Sequence, residues 1–348
     1  LPARELRQAA LQDFWSNLER FRLPYFTPWN AQTAICGRMK LSTLPFAVAA
    51  GRDRFWEAVG SFKGAILAGD ELYLTFRDLL KIFDIRQCAN LLPIAELSLP
   101  SDSANDLLLR NNILYVSAGT GGLRIIDVRE PRNPTEVRKV DVVYAAGIDT
   151  YRSFLYLAGW KDGLRIYDAA ENGRPEPLDR ISLDGPVKDV VVRGDYAFAV
   201  IDGVGVSILD LSNPRKPFVA AKYPAPNVVR IALAGNLLAV LEADRTGILH
   251  LVDIVNPAKP SRVTTMRSRE FSGPRDIAAT RTHLYIVSSA DRGGYAHSDL
   301  KVLQITDPKN PRIVGAVALS SPETVTVGRG FAYVSGMELV TVDITAFQ

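Results

Sequence analysis

The sequence predicts an all-β fold built from one repeated four-stranded unit, and three observations support this prediction. An apolar run that ends at a shared, mostly acidic position recurs seven times in the 348 residues, at intervals of 39 to 51 residues. A pair of short apolar runs around a tight polar turn precedes it, as at 190–201. No stretch within the repeats keeps apolar residues at helical spacing over enough length to predict a helix instead of strands. A period of about 40–45 residues is typical of a four-stranded propeller blade.

The run with the shared position is the most regular part of the repeat. It reads LKIFDIRQ at 80–87, LRIIDVREPRNP at 123–134 and LHLVDIVNPAKP at 249–260. The shared position is Asp84, Asp127, Asp168, Asp210, Asp253, Gln304 and Asp343. An aspartate beside a turn commonly accepts hydrogen bonds from the turn amides. We therefore expect a structural role for these aspartates.

The order of strands within the unit follows from the same pattern. The segment VVVRGDYAFAVI at 190–201 places two apolar runs around Gly194-Asp195, which is a hairpin signal. The acidic run is the third strand, the prolines form the next turn, and PFVAAKY at 217–223 is the fourth. Seven such units can close into a ring that leaves few sheet edges exposed. The predicted fold is therefore a seven-bladed β-propeller of four-stranded blades with an N-terminal helical arm.

These repeats resemble a known family. The pattern L-x-I-x-D-[VIL]-x-x-P-x-x-P, with an LYVA-like strand before it, resembles the LVIVD-repeat β-propellers of exported bacterial proteins. The resemblance covers about residues 64–348 and implies export, but it implies no particular activity. Two repeats depart from the pattern: the sixth has Gln304 instead of aspartate, and the third has Asn172-Gly173-Arg174-Pro175 in its turn.

The first 35 residues lie outside the repeats, and we interpret 1–35 as a separate unit. A predicted helix at 3–21 carries an apolar stripe, and an aromatic, proline-containing connector follows it. Two interpretations remain open: the stripe packs onto the chain's own propeller, or the arm docks on a neighbouring subunit. In the second case the interface candidates are Phe14, Trp15, Leu18, Tyr25, Phe26 and Trp29.

Residues 36–348 are predicted to form the propeller. The sequence ends soon after the third strand of the last blade, so we expect 37–45 to supply the fourth strand of that blade. Residues 46–63 have no counterpart in the other repeats, and we interpret them as an insertion with a short helix.

The two cysteines, Cys36 and Cys88, are predicted to lie on the same face of neighbouring blades. Cys36 precedes the expected closing strand, and Cys88 lies between the third and fourth strands of the first blade. One interpretation is a disulfide that ties the N-terminal segment to the ring. The other is two separate thiols, because outer strands of neighbouring blades can exceed the Cα separation of about 4.4–6.8 Å that a disulfide spans.

Composition narrows the possible partners and the location. The 41 basic and 38 acidic residues are interspersed, which argues against a nucleic-acid-binding face. No apolar run reaches the roughly 18 residues of a membrane span. The sequence begins at Leu1, so we expect either a removed signal peptide or a trimmed chain. Together with the family resemblance, this predicts a secreted, cell-surface or periplasmic protein.

A set of charged residues is predicted at one mouth of the central channel. Nine residues before the aromatic residue of the second strand, or before Ala239 in the fifth repeat, the chain starts the innermost strand. This count reaches Asp106, Asp189 and Asp276, with Arg230 among them and Asp149 in the offset third repeat. Two interpretations are open: the set binds a cation or small polar ligand, or it is a solvated charged rim. A further candidate is the long loop within 288–299, with Asp291, His297 and Asp299.

The sequence contains no motif that indicates catalysis. The three histidines, His250, His283 and His297, fall in three different settings, and there is no zinc-ligand spacing or G-x-S-x-G elbow. We therefore expect a non-catalytic scaffold or binding module without a cofactor, which works through protein partners or by forming homo-oligomers through its arm. The alternative is an enzyme or a binder of a small ligand or cation that uses the channel mouth.

Overall fold

The computed structural model describes residues 62–76, 78–86, 91–99, 104–244, 246–289, 298–319, 321–336 and 339–347. These residues form seven antiparallel sheets, and each sheet is one blade. Within the described residues, six blades have four strands and the last has three. The all-β, seven-bladed propeller predicted from the repeats is confirmed.

In every blade the strands follow the chain from the central channel outward. Blade 1 contains β1 (Phe62–Ala68), β2 (Glu71–Phe76), β3 (Leu79–Asp84) and β4 (Leu92–Ser98). Blade 2 contains β5 (Asp106–Arg110), β6 (Ile113–Ser117), β7 (Leu123–Asp127) and β8 (Thr135–Val140). Blade 3 contains β9 (Ile148–Tyr151), β10 (Phe154–Ala158), β11 (Leu164–Asp168) and β12 (Glu176–Ile181). Blade 4 contains β13 (Val187–Arg193), β14 (Tyr196–Ile201), β15 (Gly205–Asp210) and β16 (Phe218–Pro224).

The remaining three blades repeat this order. Blade 5 contains β17 (Val228–Ala234), β18 (Leu237–Glu242), β19 (Ile248–Asp253) and β20 (Ser261–Arg267). Blade 6 contains β21 (Pro274–Ala279), β22 (His283–Ser288), β23 (Asp299–Gln304) and β24 (Arg312–Ala318). Blade 7 contains β25 (Pro322–Gly328), β26 (Phe331–Gly336) and β27 (Leu339–Asp343). The helices among the described residues are two single 3₁₀ turns, Arg269–Phe271 and Thr345–Phe347.

Tight turns join the first and second strands, as the hairpin pattern predicts. In blade 2, Arg110 pairs with Ile113, which leaves Asn111 and Asn112 as a two-residue turn. Both asparagines have positive φ, 48° and 60°. A type I′ turn requires this backbone at both central residues, and asparagine adopts it more readily than most side chains do.

The ring closes through contacts between neighbouring blades. The innermost strand of each blade contacts that of the next, and β25 contacts β1. An apolar cluster lies at each of the seven interfaces. Between the first and last blades, Leu72 and Leu74 pack with Tyr333 and Leu339. The core is therefore divided among the interfaces, and each blade depends on its two neighbours.

The recurring aspartate stabilises the turn after the third strand. In six blades its carboxylate accepts a hydrogen bond of 2.7–3.0 Å from the backbone N–H two residues later. In blade 1, hydrogen bonds from Arg86 lower the pKa of Asp84 to about 2. The predicted structural role of these aspartates is confirmed.

Several predictions fall outside the described residues and stay predictions. They concern the arm at 1–35 with its interface candidates, the closing strand at 37–45, and Cys36 with Cys88. β1 begins at Phe62, inside the range predicted as the insertion 46–63. Across the described parts of the chain, no helix has the length and hydropathy that crossing a membrane requires.

Candidate functional site at the mouth of the central channel

A repeated β-bulge positions the side chains at the channel mouth. In blades 4 to 7 the pairing of the first and second strands skips one residue just before Asp189, Arg230, Asp276 and Thr324. A bulge bends the strand and re-aims the side chains beside it. The residue after the bulge lines the channel in each of these blades.

These positions line one cavity of about 730 Å³, to which all seven blades contribute. Its lining includes all five residues predicted from the sequence: Asp106, Asp149, Asp189, Arg230 and Asp276. Lys188 adds a second positive charge. With every group ionised, the carboxylates of the lining exceed its cationic groups by two.

Two of these aspartates hold the main chain of the next blade. Oδ2 of Asp106 in blade 2 accepts a hydrogen bond from the N–H of Ile148 in blade 3 at 3.0 Å. Oδ2 of Asp149 in blade 3 accepts one from the N–H of Val192 in blade 4 at 2.6 Å. In both, Oδ1 accepts the N–H of the following residue. In the third repeat the aspartate lies two residues further along the inner strand than in the other repeats. Its contact with the next blade is shifted by the same two residues and is retained.

Asp276 makes the same contact between blades 6 and 7. Its Oδ2 accepts hydrogen bonds from the hydroxyl of Thr324 at 2.6 Å and the N–H of Val325 at 2.9 Å. Its Oδ1 accepts the N–H of Ile277. Asp106, Asp149 and Asp276 are called the interblade aspartates below, because each joins two blades.

Asp189 in blade 4 faces an arginine of the next blade. Nη1 of Arg230 lies 3.6 Å from Oδ2 of Asp189, and Nε of Arg230 lies 3.5 Å from Oδ1 of Asp276. Arg230 therefore forms ion pairs with the blades on both sides of its own. Its side chain is 35% exposed, so solvent weakens both pairs.

Burial shifts the pKa values of the charged residues at the channel mouth. Desolvation, together with the charge of Asp189, raises the pKa of Asp106 to about 7. Desolvation raises the pKa of Asp149 to about 6 and also raises that of Asp189, where Arg230 opposes it. Burial alone would lower the pKa of Arg230, but the surrounding carboxylates raise it above its ordinary value. The mouth therefore gains negative charge as the pH rises through 6 and 7.

The geometry does not favour a metal ion. Among the described residues, no three His, Cys, Asp or Glu side chains are grouped so that they could hold one. Arg230 forms ion pairs with Asp189 and Asp276, and the oxygens of Asp106 accept backbone N–H groups. The interpretation that Asp106, Asp189 and Asp276, with Arg230 between them, bind a cation or a small polar ligand stays a prediction.

Sequence reasoning missed an aromatic pair at the same mouth. Tyr144 and Trp160 both line the cavity, with ring centroids 6.3 Å apart and ring planes at 54°. Tyr144 precedes β9 and Trp160 follows β10, so the two rings flank the inner hairpin of blade 3. A signal was present: the loop reads AGWKDG at 158–163, where blade 2 has AGTGG at 118–122.

A second missed feature is a basic residue three positions before the recurring acidic position. The basic residues are Lys81, Arg124, Arg165, His250 and Lys301, and their partners are Glu96, Glu136, Asp162, Glu242 and Asp299. Each pair lies within one blade, which indicates a structural role. The pattern L-[KRH]-[ILV] in five repeats is its sequence signal.

The loop of blade 6 is described only at its ends. Asp291 and His297 lie outside the described residues. Asp299 is buried, and its carboxylate pairs with Lys301. Ser288 pairs with both Pro274 and Asp299, so Asp299 lies at the same end of blade 6 as the mouth. Asp299 is nevertheless not part of the cavity lining among the described residues.

Comparisons with known proteins agree with this architecture. The family model of the LVIVD repeat matches residues 102–142, 184–224 and 227–267, which fall in blades 2, 4 and 5. These matches confirm the resemblance seen in the sequence. They leave blades 1, 3, 6 and 7 unmatched, and blades 3 and 6 hold the two repeats that depart from the pattern. No curated protein sequence matches the chain at a significant level.

Two solved structures illustrate the likeness in fold. The computationally designed Ika8 protein is 8% identical with a TM-score of 0.57, and the match covers 82% of this chain and 96% of that one. A candidate 6-phosphogluconolactonase from Bacteroides uniformis is 10% identical with a TM-score of 0.60, and the match covers 74% of this chain and 85% of that one. At such low identity the likeness shows the fold alone.

Proposed function

We propose that the chain, a seven-bladed β-propeller in which three repeats match the LVIVD model, is a non-catalytic binding or scaffold module of the cell surface or periplasm. It assembles through its N-terminal arm, residues 1–35, with further copies of itself or with another surface protein. The resemblance to repeats of exported proteins supports the location. The apolar stripe and aromatic connector predicted from the sequence of the arm, outside the repeats, support the assembly.

One observation supports the non-catalytic part of the proposal: the carboxylates at the mouth form hydrogen bonds and ion pairs within the protein. Both oxygens of each interblade aspartate accept hydrogen bonds from the protein itself. Asp189 accepts the N–H of Val190 and faces Arg230. A general base needs an oxygen directed at a substrate proton. The carboxylates are arranged to fix the blades relative to one another, and a ring fixed in this way suits a binding platform.

The experiment measures the native mass of the full chain beside that of a variant with Phe14→Ala, Trp15→Ala and Leu18→Ala. We expect an assembled particle for the full chain and a folded monomer for the variant. The matched control is Phe218→Ala with Val219→Ala, which removes exposed apolar side chains from the outer strand β16 and leaves the assembly intact. A monomeric full chain, or a variant that unfolds, would count against self-assembly through the arm.

A second candidate function is the binding of a small ligand at the channel mouth. The cavity of about 730 Å³ favours it, because small-molecule sites commonly occupy about 300–1,000 Å³. The cavity also combines charged groups with the aromatic rings of Tyr144 and Trp160. Titration with small charged probes tests this function independently of the arm.

A further inference from the structure

The aromatic pair is held in place at the mouth. Nδ2 of Asn105 lies 3.4 Å from the hydroxyl of Tyr144 and donates to the carbonyl of Ala145 at 2.9 Å. The backbone of Trp160 has a φ of 55°, a left-handed conformation that is unfavourable for a bulky side chain. Such conformations persist where the surroundings enforce them, and they are concentrated at functional sites.

Trp160 is attached to the strand that carries Asp189. Its N–H donates to the carbonyl of Val187 at 3.0 Å, and the N–H of Val187 donates back at 2.9 Å. Val187 lies two residues before Asp189 on β13. Gly147 of blade 3 contacts the same carboxylate, since a Cβ at Gly147 would lie 2.3 Å from Oδ1 of Asp189. The aromatic pair and Asp189 therefore meet at the boundary of blades 3 and 4.

Charge and shape at this boundary select a class of ligand. Over the whole lining, the ionised carboxylates outnumber the cationic groups by two, which disfavours an anion, and Asp189 shares its charge with Arg230 at 3.6 Å. The carboxylates are not grouped as metal ligands require. An aromatic face beside a carboxylate attracts an organic ammonium group, because the negative face of the ring adds to the attraction of the charge.

We propose that the mouth of the channel binds a small organic cation, whose charged nitrogen lies against Trp160 and Tyr144 and is paired with Asp189. The proposal rests on the second candidate function and names its ligand class. Asp149 lies on the neighbouring inner strand of blade 3 and adds negative charge to the same side. Gly147 packs against Oδ1 of Asp189, and a side chain at this position would collide with the carboxylate.

The test is calorimetric titration of the full chain at pH 8 with choline chloride, with sodium chloride holding the ionic strength constant. The matched probe is 3,3-dimethyl-1-butanol, which has the shape of choline without its charge. We expect saturable choline binding and at least about ten-fold weaker binding of the neutral probe. A ten-fold change equals about 1.4 kcal/mol, within the range of a cation–π contact.

Two pairs of variants locate the binding. Trp160→Gly removes the ring and suits the left-handed backbone, so it should weaken choline binding about ten-fold without lowering the melting temperature. Trp160→Phe keeps an aromatic face and should retain most of the affinity. Asp189→Asn should weaken choline binding, whereas Asp179→Asn on the outer strand β12 should leave it unchanged.

The results test separately which class of ligand binds and whether the channel mouth is a binding site. Equal affinity for choline and its neutral analogue, or unchanged affinity in Trp160→Gly, overturns the proposal. Binding of sodium acetate but not choline, lost in Arg230→Met, also overturns it and leaves a ligand site at the mouth in place. If none of the three probes binds, both the proposal and the second candidate function fail.

Discussion

Oδ2 of Asp106 lies 3.0 Å from the backbone nitrogen of Ile148, so a side chain at the mouth of blade 2 binds the main chain of blade 3. Asp149 and Asp276 form the corresponding contacts at two other interfaces. The aspartates that the sequence predicts as ligand candidates therefore also connect neighbouring blades of the ring. Their ionisation affects the stability of the fold as well as the charge of the cavity.

The aspartates at the mouth should make the protein less stable as the pH rises from about 4 to about 7. In the folded protein the pKa of Asp106 is about 7 and that of Asp149 about 6, against about 3.9 in an unfolded chain. Between these values the folded state holds more protons, so deprotonation favours unfolding. In urea unfolding, Asp106→Asn should therefore reduce the loss of stability between pH 5 and pH 8.

The comparison must be made against the unaltered chain, because other groups titrate nearby. Asp106 faces Asp189 and Arg230 as well as the N–H groups of Ile148 and Leu107. Burial lowers the pKa of His283, which acts in the opposite sense below about 6.5. Asp179→Asn, an exposed change on β12, should keep the original pH dependence. An Asp106→Asn protein with the original dependence would contradict the assignment.

Removing the carboxylate of Asp276 should weaken the interface between blades 6 and 7. Asp276→Ala deprives the N–H of Val325 and the hydroxyl of Thr324 of their acceptor, which should cost about 1–3 kcal/mol in the free energy of unfolding. Thr324→Val removes one of the two hydrogen bonds and should cost less. Urea unfolding measures both changes, with Asp179→Ala as the control. Equal losses of stability in Asp276→Ala and Asp179→Ala would refute the role of Asp276 in connecting blades 6 and 7.

The closing strand at 37–45 is expected to pair with β27. Leu41→Pro removes a backbone donor from the middle of that segment, so it should destabilise the protein by at least about 1 kcal/mol. Hydrogen exchange should then show faster exchange of the β27 amides that point away from β26, such as that of Thr341, because the N–H of Ile344 donates to Gly330 on the β26 side and alternate amides point outward. Ala49→Pro, placed between the predicted strand and the predicted short helix, is the control. Unchanged protection of β27 in Leu41→Pro would place the closing strand elsewhere.

A bridge between Cys36 and Cys88 is expected to leave no free thiol in the denatured, unreduced protein. Closing a loop of this length should contribute about 4 kcal/mol in the chain-entropy description. Cys36→Ser, Cys88→Ser and the double variant should therefore lose similar stability, because each removes the same bond. Two reactive thiols per chain would show that the cysteines are separate.

The repeats predicted the fold because each blade uses the same local chemistry. Asp210 after an apolar run and Gly194 in a tight turn mark a strand end and a hairpin wherever they recur. Antiparallel pairing then fixes which residues share an end of the blade. This is why counting back from Tyr115 and Tyr285 reached Asp106 and Asp276, which line the cavity.

The partners of these side chains could not be predicted. Ile148 is 42 residues from Asp106 and donates a backbone group that nearly every residue carries, so no residue type marks the contact. Trp160 occupies a left-handed turn position, where glycine or asparagine is usual. The turn pattern of the sequence therefore did not mark Trp160 as a residue of the site. Both features depend on how one blade meets the next, and the repeat pattern describes only the inside of a blade.

The interface between blades 1 and 7 also bears on how fast the protein folds. Arg329 donates to Asp70 across 259 residues of sequence, beside the cluster that joins Leu72 and Tyr333. Contacts this distant in the chain form slowly, because loop-closure entropy must be lost before they stabilise anything. Until then the apolar faces of the two blades are open to other chains. Exchange of a terminal blade between two molecules, giving a domain-swapped dimer, is therefore the misassembly to look for during refolding at high concentration.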